Sequence, residues 1–569
     1  MSSQTEVILK QAGRKVLLYI GLFSIGVNLL MLTAPLYMLQ IYDRVLTSGR
    51  FETLLYLTLI AVFALVVLGL LDVARKYSLG RMSDWMDQTL ATPILGHLVR
   101  GVARNNQPPS TVAVRDIATV RTYLSSEAPF ALMDMPWVLV FITFVFVLHL
   151  YLGLVALAGA ALLLLIVLLN QKTTGKAAQK ANAAASERHH KTESIVRNAS
   201  AIEAMGMGRD VSAVFERDNA AALSEGRRFA ETNTAFTATT KVLRMGLQVA
   251  ILGVGAFLAV RGDISPGAMI AGSILMGRAL APIEMAVGSW RQTVSAKEAL
   301  ERTRATLASM DEEHTMSTLP EPLGHLSVEG VSYVHPGQTE PTLLDLNFKV
   351  EPGKMLGVIG PMGTGKSTLV RLLVGLIKPT RGTVRLDGVD LAAWDHDEVG
   401  PHIGYLPQNV DLLTGTVGQN IARFKEGRHD DMYAAAQSVG MHEVILKLPG
   451  GYDARVGEGG AYLSGGQRQR IGLARALFGG PKFVVLDEPN ANLDRVGENA
   501  LIQAILRLKA EGRSVIVVSH RPRILEMAEE VLVLMPGAQS QIGPRDKVLA
   551  SVGAPQTMVS MPGPEGEGA

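Results

Sequence analysis

The sequence predicts an all-α six-helix transmembrane domain followed by an α/β domain with a P-loop. Three observations lead to this fold class. The chain has 569 residues, too many for one core, and 48% of them are hydrophobic. Long apolar runs are concentrated in the first half, as expected of membrane spans. The second half alternates short apolar strands with helical patterns, and contains G-P-M-G-T-G-K-S at 360–367 directly after one such strand.

Composition excludes several classes of function. The formal net charge is only +2, which gives no indication of a nucleic-acid partner. The chain has no cysteine, so disulfides, thiolate metal sites and a cysteine nucleophile are excluded. We expect no cleavable signal peptide, because the first apolar run is too long and lacks a clear small-residue cleavage site.

Apolar runs predict six spans after a polar N-terminal segment, residues 1–15. The run 137–169 would be about 50 Å long as one helix, against a hydrocarbon core of roughly 30 Å, so we expect it to fold back near 149–153. A polar turn is predicted at 43–52, and Arg261-Gly262-Asp263 joins the last two spans. The remaining spans are 16–41, 54–71, 243–260 and 264–287.

Basic residues predict the orientation. The long segments 75–127 and 171–242 are rich in Lys and Arg, whereas the short turns on the other side carry few. The positive-inside rule therefore makes the long loops, the N-terminus and the second half cytoplasmic. Residues 172–240 are rich in helix-forming Ala, Glu, Lys and Arg, so we expect spans two to five to continue as cytoplasmic helices. They either contact a soluble domain or are solvated linkers without a coupling role.

Two charged residues lie close to or within the spans. Arg278 falls inside span six, where a charge is costly unless it faces a cavity or a partner. We hypothesise that it lines a transport pathway; the alternatives are snorkelling and pairing with a carboxylate on a neighbouring helix. Asp134 precedes Pro136 and is predicted to start a helix at the cytosolic interface; the alternative is a role in gating.

Composition also predicts the domain boundaries. The transmembrane domain covers 16–296, and a linker with Pro320 and Pro322 covers 297–325. The α/β nucleotide-binding domain covers 326–550, and a Pro/Gly-rich tail predicted to be disordered covers 551–569.

The P-loop pattern predicts a phosphate site. Its glycines let backbone N–H groups wrap phosphate oxygens at the N-terminus of the following helix. Lys366 would reach the β- and γ-phosphates and Ser367 would ligate Mg²⁺. The alternative is a glycine turn that only happens to end in Lys-Ser. The predicted ATP-binding residues here are Gly360, Pro361, Met362, Gly363, Thr364, Gly365, Lys366, Ser367 and Thr368.

A second apolar strand, 483–487, ends in two carboxylates. We expect Asp487 to lie in the Mg²⁺ shell, and Glu488 to polarise the attacking water as the catalytic base. A P-loop together with such a strand indicates ATP and Mg²⁺ as ligands.

The segment Leu463-Ser464-Gly465-Gly466-Gln467 resembles the signature of ATP-binding cassette (ABC) ATPases, and the whole chain resembles an ABC type I exporter-like half-transporter. The resemblance implies further site residues. Tyr333 would stack on adenine, Gln408 would meet Mg²⁺ and the membrane domain, and His520 would hold the γ-phosphate. The residues implied to serve the nucleotide of a second domain are Ser464, Gly465, Gly466, Gln467 and Asp494.

The resemblance also implies a homodimer. In this family each ATP lies between the P-loop of one domain and the signature of another, and this chain has one of each. One departure is Ala491, where the family usually has serine, so a hydroxyl that can bond across the dimer is missing. Residues 456–460 resemble the exporter loop that touches the membrane domain.

Two further strings resemble the permease/ATPase subunit of type I protein secretion systems, in the branch that exports metalloproteases. They are residues 36–46, L-Y-M-L-Q-I-Y-D-R-V-L, and residues 134–137, D-M-P-W. This resemblance implies alternating access, an inner-membrane location, a periplasmic adaptor (membrane fusion protein), an outer-membrane channel and a protein substrate with an uncleaved C-terminal signal. The rival interpretations are a lipid or drug exporter and a non-transporting, membrane-anchored ABC ATPase.

Overall fold

The computed structural model describes residues 16, 18–105, 111–311, 320–535 and 539–553. The chain divides into two compact units, residues 1–100 with 108–313 and residues 101–107 with 314–569. The predicted N-terminal segment 1–15 and most of the predicted tail, 554–569, lie outside the described residues.

The described part of the first unit consists of helices. The first helix, α1, covers Leu18–Ser48, and its turn Ile41–Val45 is π-helical. The helices are α1 (Leu18–Ser48), α2 (Phe51–Asn105), α3 (Val112–Leu124), α4 (Ala128–Asp134), α5 (Trp137–Leu148), α6 (Leu150–Arg197), α7 (Ala199–Ala204), α8 (Gly208–Arg261), α9 (Pro266–Gly288) and α10 (Trp290–Asp311).

The membrane-spanning helices agree with the sequence in number and differ in their bounds. Five described helices are long and apolar enough to cross a membrane, and six if α4 and α5, bent by 48°, form one broken span. The predicted fold-back is present, because α5 and α6 are separated only by the extended residue His149. The predicted polar turn 43–52 is wrong: α1 continues to Ser48, and α2 already begins at Phe51.

Three helices extend far beyond a hydrocarbon core. α2, α6 and α8 contain 55, 48 and 54 residues, which corresponds to roughly 70–80 Å each at about 1.5 Å per residue. The helical prediction for 172–240 is therefore confirmed, apart from a short interruption around α7.

The second unit contains two sheets. The four-stranded antiparallel sheet has the order β2 (Leu343–Val350), β1 (Leu326–Tyr333), β4 (Arg381–Leu386), β5 (Val389–Asp390). The six-stranded sheet has the order β10 (Gln541–Pro544), β9 (Glu530–Val533), β3 (Met355–Ile359), β8 (Ser514–Val518), β7 (Phe483–Asp487), β6 (Ile403–Leu406), and only β10 is antiparallel.

Helices cover the parallel sheet, whose strands β3, β7 and β8 are buried along their entire length. Such burial on both faces explains why these strands are continuous apolar runs in the sequence. The helices of this unit are α11 (Lys366–Leu373), α12 (His396–Val399), α13 (Val417–Ile421), α14 (His429–Ser438), α15 (His442–Leu446), α16 (Gly465–Leu477), α17 (Arg495–Ala510), α18 (Pro522–Leu525) and α19 (Arg545–Gly553).

Candidate nucleotide-binding site

The parallel sheet brings most of the predicted site residues to one edge. Strands β3, β8, β7 and β6 are neighbours in that order and run in the same direction. Their carboxyl ends lead respectively into the P-loop, His520, Asp487 with Glu488, and Gln408. Ligands of open α/β sheets bind at this edge.

The P-loop has the backbone that a phosphate cradle requires. Gly363 and Gly365 have φ values of 82° and 87°, a left-handed conformation that glycine adopts without penalty. A Cβ on Gly365 would lie only 2.8 Å from Thr342 Cγ2. Lys366 begins α11, and its Nζ donates to the carbonyl oxygens of Gly360 (2.6 Å) and Pro361 (2.8 Å). The ammonium group thus lies against the loop that would hold the phosphates.

The oxygen atoms predicted to bind a metal are adjacent. The Ser367 hydroxyl donates to Asp487 Oδ2 at 3.1 Å, and Asp487 is 4% exposed. Burial raises the pKa of the Asp487 carboxyl, whereas the bond from Ser367 and the charge of Lys366 oppose that shift. A hydroxyl and a carboxylate side by side are the hard oxygen ligands that Mg²⁺ prefers, so these residues fit the ion.

Glu488 is held in a strained conformation. Its φ is 47°, a left-handed value that costs a non-glycine residue about 1–3 kcal/mol. Its backbone N–H donates to Val518 O at 2.9 Å, and its Oε2 accepts from Gln408 Nε2 at 3.2 Å. The hydrogen bond between the Glu488 carboxylate and the Gln408 amide joins two of the predicted catalytic residues directly.

His520, the third predicted catalytic residue, lies exposed at the end of β8. The residue before it is fixed: the Ser519 hydroxyl donates to Asn490 Oδ1 at 2.9 Å and accepts from the Arg521 N–H at 3.2 Å. His520 is therefore positioned by its backbone. Sequence reasoning missed Asn490, because a single asparagine within N-A-N-L-D gives no signal of this contact.

Tyr333 ends β1 and contacts a histidine that sequence reasoning missed. The rings of Tyr333 and His335 pack edge to face with their centroids 5.1 Å apart. His335 Nε2 in turn lies 3.4 Å from Thr368 Oγ1 on the first turn of α11. Together with Arg371 and other residues, these three side chains line a cavity of about 400 Å³. The aromatic residues thus join the P-loop helix to the place predicted for adenine.

The signature segment forms the N-terminus of α16. Ser464 Oγ accepts from the Gln467 N–H at 3.2 Å, and Gln467 Oε1 accepts from the Ser464 N–H at 2.9 Å, which is a capping box. The amide of Gln469, which the sequence did not single out, donates to Pro489 O at 3.3 Å. This bond ties α16 to the segment that follows Glu488.

The 490–494 segment packs against the start of the same helix. A Cβ on Gly466 would lie 2.8 Å from Asn492 O, whereas one on Gly465 would find Asn492 Cβ at 3.5 Å. Asp494 Oδ1 accepts from the Gly497 N–H at 2.7 Å and caps α17. Within one chain, therefore, the Asp494 carboxylate contacts its own helix.

The signature and the P-loop are not joined within the chain. Among the described residues, no hydrogen bond connects 463–467 with 360–368. The structure thus brings together the P-loop, Asp487, Glu488, Gln408 and the strand end that carries His520. Gly465 of the signature lines a cavity together with Gln408, but the signature makes no described hydrogen bond to the P-loop.

Asp134 does not start a helix. It ends α4, is 5% exposed, and accepts from Arg75 Nη1 at 3.1 and 3.2 Å and from Asn28 Nδ2 at 2.8 Å. The prediction was wrong because the helix break lies after Asp134, at Met135 and Pro136. Neither Arg75 nor Asn28 carried a signal of this pairing, since they are distant in sequence.

Arg278 is exposed on α9. Among the residues that the structure describes, it has no carboxylate within 4 Å, whereas Glu284 of the same helix pairs with Arg244 of α8 at 2.7 Å. The alternative of a neighbouring carboxylate partner therefore finds no support in the described chain, and pathway lining stays a prediction.

Comparison with known proteins covers both units. Residues 17–281 match the protein family described as ABC transporter transmembrane region, and residues 343–491 match the family described as ABC transporter. The chain is 41% identical over 539 residues to the type I secretion system ATP-binding protein PrsD of Rhizobium meliloti (strain 1021), covering 94% of this chain and 93% of that protein.

More distant relatives agree with this match. The leukotoxin translocation ATP-binding protein LktB of Mannheimia haemolytica is 28% identical over 94% of this chain and 76% of its own length. The cyclolysin secretion/processing ATP-binding protein CyaB of Bordetella pertussis is 29% identical, over 94% of this chain and 75% of its own length. A solved structure of a bacterial Atm1-family ABC exporter with ATP bound shares the fold, with a TM-score of 0.78, 21% identity and coverage of 95% of this chain and 97% of that one. This chain therefore belongs to the ABC transporter family, as a multi-pass membrane protein whose second unit binds and hydrolyses ATP.

Proposed function

We propose that the protein drives the export of an unfolded or partly folded protein across the inner membrane, as the homodimeric ABC component of a type I secretion system. The observation that carries the proposal is the similarity to PrsD, which extends over both the membrane helices and the ATPase unit. The names of LktB and CyaB, which also refer to translocation or secretion, support the same class of substrate.

Each predicted residue at the edge of the sheet has a proposed role in ATP hydrolysis. Lys366 neutralises the β- and γ-phosphates, while the loop N–H groups and the N-terminus of α11 bind their oxygens. Ser367, Asp487 and Gln408 would hold Mg²⁺, which supplies charge neutralisation of the phosphates when bound. Glu488 accepts a proton from the attacking water, His520 binds the γ-phosphate, and Tyr333 stacks on adenine.

A second copy of the chain would complete the site. Because no hydrogen bond joins the signature to the P-loop in the described part of the chain, Ser464 and the N–H groups of Gly465 and Gly466 remain available to the γ-phosphate of a partner. Gln467 and Asp494 would belong to the same composite site. ATP would favour the closed dimer because it binds the closed form more tightly than the open form. Hydrolysis would reopen the dimer, and this alternation would move the membrane spans.

The distribution of basic residues supports the proposed location. With the basic segments 75–127 and 171–242 in the cytoplasm, the ATPase unit and the N-terminus face cytosolic ATP, and the spans lie in the lipid of the inner membrane. A periplasmic adaptor and an outer-membrane channel would continue the path, and the substrate would carry an uncleaved C-terminal signal. The strings at 36–46 and 134–137 support this branch of exporters.

The test is a comparison of secreted proteins. We expect deletion of the gene to remove at least one protein from the medium, and the wild-type gene to restore it. The Glu488→Gln variant should still bind ATP but lose hydrolysis by a factor of about 100 or more, and should fail to restore secretion. Secretion that persists with Glu488→Gln would contradict ATP-driven export and would favour a non-transporting ATPase.

Lipid or drug export predicts a different result. In that case the set of secreted proteins would be unchanged by the deletion, and lipids or drugs alone would stimulate the ATPase activity of the purified protein. Copurification of an adaptor with the wild-type protein would favour protein export.

A further inference from the structure

Arg423 occupies a strained position in the ATPase unit that neither the sequence nor the ATP site explains. It follows α13, and both Arg423 and Phe424 have positive φ values, 52° and 58°. Left-handed conformations are unfavourable for residues with a Cβ. Two successive residues keep left-handed conformations only where the surrounding structure holds them. The contacts of the Arg423 side chain can do this.

The guanidinium of Arg423 binds four backbone carbonyl oxygens. Its Nε donates to Arg475 O at 2.9 Å and its Nη2 to Ala476 O at 2.9 Å. Its Nη1 donates to Gly400 O at 2.9 Å, and Nη2 also donates to Ile403 O at 3.2 Å. One cation thus joins two segments that are about 70 residues apart in the sequence.

One segment leads to Gln408, and the other is the C-terminal end of the helix that begins at the signature. Arg475 and Ala476 lie in the last turn of α16, whose carbonyls have no partner within the helix and carry the negative end of its dipole. The first turn of the same helix carries Ser464. Ile403 begins β6, the strand that leads to Gln408, and Gly400 begins the short 3-10 turn directly before that strand.

A second arginine holds the other end of the Gln408 segment. Arg475 Nη1 donates to Asp411 O at 3.1 Å, three residues beyond Gln408. Burial is the main cause that lowers the pKa of both arginines, that of Arg423 to about 10, so Arg423 stays charged at neutral pH. Arg423 and Arg475 therefore connect α16, the helix that begins at the signature, to the segment 400–411 on both sides of Gln408.

Two glycines permit close packing between the same elements. A Cβ on Gly404 in β6 would lie 2.7 Å from Ala476 O, and a Cβ on Gly472 in α16 would lie 2.6 Å from Val410 Cγ1. Side chains at these positions would push the helix away from the strand. The contact is therefore tight enough for the two elements to move together.

We propose that Arg423 and Arg475 are positioning residues that make the Gln408 segment and the signature helix one rigid body. Gln408 contacts Glu488 within its own chain, whereas Ser464 serves the second nucleotide of the dimer. The two arginines thereby link the state of one ATP site to the geometry of the other. The inference depends on ATP hydrolysis, which is established by the family, and on the second site, which depends on the proposed function.

The test uses the full-length protein in lipid and the variants Arg423→Ala, Arg423→Lys and Lys425→Ala. Lys425 is the matched control: it is an exposed cation two residues away, and its side chain makes no hydrogen bond among the described residues. Steady-state ATP hydrolysis gives kcat, KM and the Hill coefficient. Binding of a fluorescent ATP analogue is measured in the Glu488→Gln background, and hydrogen exchange is followed in 400–411 and 465–477.

For Arg423→Ala we expect kcat to fall by about tenfold or more because Gln408 and Ser464 lose their fixed spacing. The Hill coefficient should fall towards 1, hydrogen exchange should accelerate in both segments, and binding of the ATP analogue should change by less than about twofold, since Arg423 lies away from the P-loop. Lysine keeps the charge but not the planar fork, so Arg423→Lys should give an intermediate kcat. Lys425→Ala should behave as wild type.

Two results would overturn the proposal. One is a wild-type kcat and Hill coefficient in Arg423→Ala. The other is an unchanged Hill coefficient with a loss of analogue binding as large as the loss of kcat/KM, which would indicate a general structural role. If Arg423→Ala does not fold, Arg423→Lys decides, and a wild-type Hill coefficient and exchange pattern there would refute the coupling. If the wild-type protein were monomeric while it hydrolyses ATP, the proposed dimer would be refuted. The proposed joint motion of 400–411 and α16 would not be affected by that result.

Discussion

At the residue scale, the membrane unit contains a buried charge cluster. Arg75 and Asp134 are 4% and 5% exposed. Arg75 also donates from Nη2 to Asp72 Oδ1 at 2.9 Å, and its guanidinium lies 4.4 Å from the centroid of the Phe130 ring. A buried ion pair is expensive to break, because the buried partner that remains loses a counter-ion and gains no water in exchange.

We therefore expect Asp134→Ala to lower the free energy of unfolding by about 3–5 kcal/mol, as thermal unfolding of the purified protein would detect. The control is Lys76→Ala: Lys76 pairs with Glu127 at 2.7 Å, but the two side chains are 43% and 71% exposed, so the expected loss is about 0–1 kcal/mol. The double variant Arg75→Leu with Asp134→Leu should be less destabilised than Asp134→Ala. Equal losses in the double variant and in Asp134→Ala would contradict the role of the unpaired charge.

At the element scale, a carboxylate of α1 caps α9. Asp43 lies in the π-helical turn Ile41–Val45, and its Oδ2 accepts from the Ser265 hydroxyl at 2.6 Å while its Oδ1 accepts from the Gly267 N–H at 3.1 Å. Ser265 in turn caps the helix through the Ala268 N–H at 3.1 Å. Negative charge at a helix N-terminus is favourable, so this contact fixes the end of the first span against the start of the last.

Gly267→Ala should break this contact. A Cβ at Gly267 would lie 2.5 Å from Asp43 Oδ1 and 2.8 Å from Leu39 O, so α1 and α9 must separate, and we expect a loss of about 1–3 kcal/mol in thermal unfolding. Gly277→Ala on the same helix is the matched control, because a Cβ there meets nothing within 4 Å. The control should be neutral or more stable, by up to about 1 kcal/mol. The same loss in both variants would exclude the Asp43 contact as the cause.

At the scale of the whole molecule, each chain has one P-loop and one signature segment, and no hydrogen bond joins them among the residues that the structure describes. Six spans, with α4 and α5 counted as one, place both ends of the membrane unit on the same side of the bilayer. Function then depends on which side that is, because the ATPase unit needs cytosolic ATP.

The absence of cysteine makes the orientation directly measurable. We expect a single cysteine at Arg50 or Asp263 to react with a membrane-impermeant maleimide added to intact spheroplasts, because these residues lie in the turns between spans. A cysteine at Ser224, on the extension of α8, should react only after permeabilisation. Labelling of Ser224→Cys in intact spheroplasts would reverse the proposed orientation.

The membrane helices and the α/β unit could be predicted from sequence because both depend on local pattern. A run of apolar residues has to leave water whatever its partners are, and the P-loop and the strand that ends at Asp487 are contiguous strings. The bounds of the first and third spans could not be predicted in this way. Asp43 and Asp134 appear polar in the sequence, and only their partners on α9, α1 and α2 allow them to remain within packed helices.

Local sequence therefore determined the fold class, the family resemblance and the candidates for the ATP site. The tertiary structure alone decided the pairing of Arg75 with Asp134, the cap that Asp43 forms on α9, and the four carbonyls that Arg423 binds. These contacts join residues that are far apart in the chain. Their free energy depends on distance and burial in three dimensions, which no string of neighbouring residues encodes.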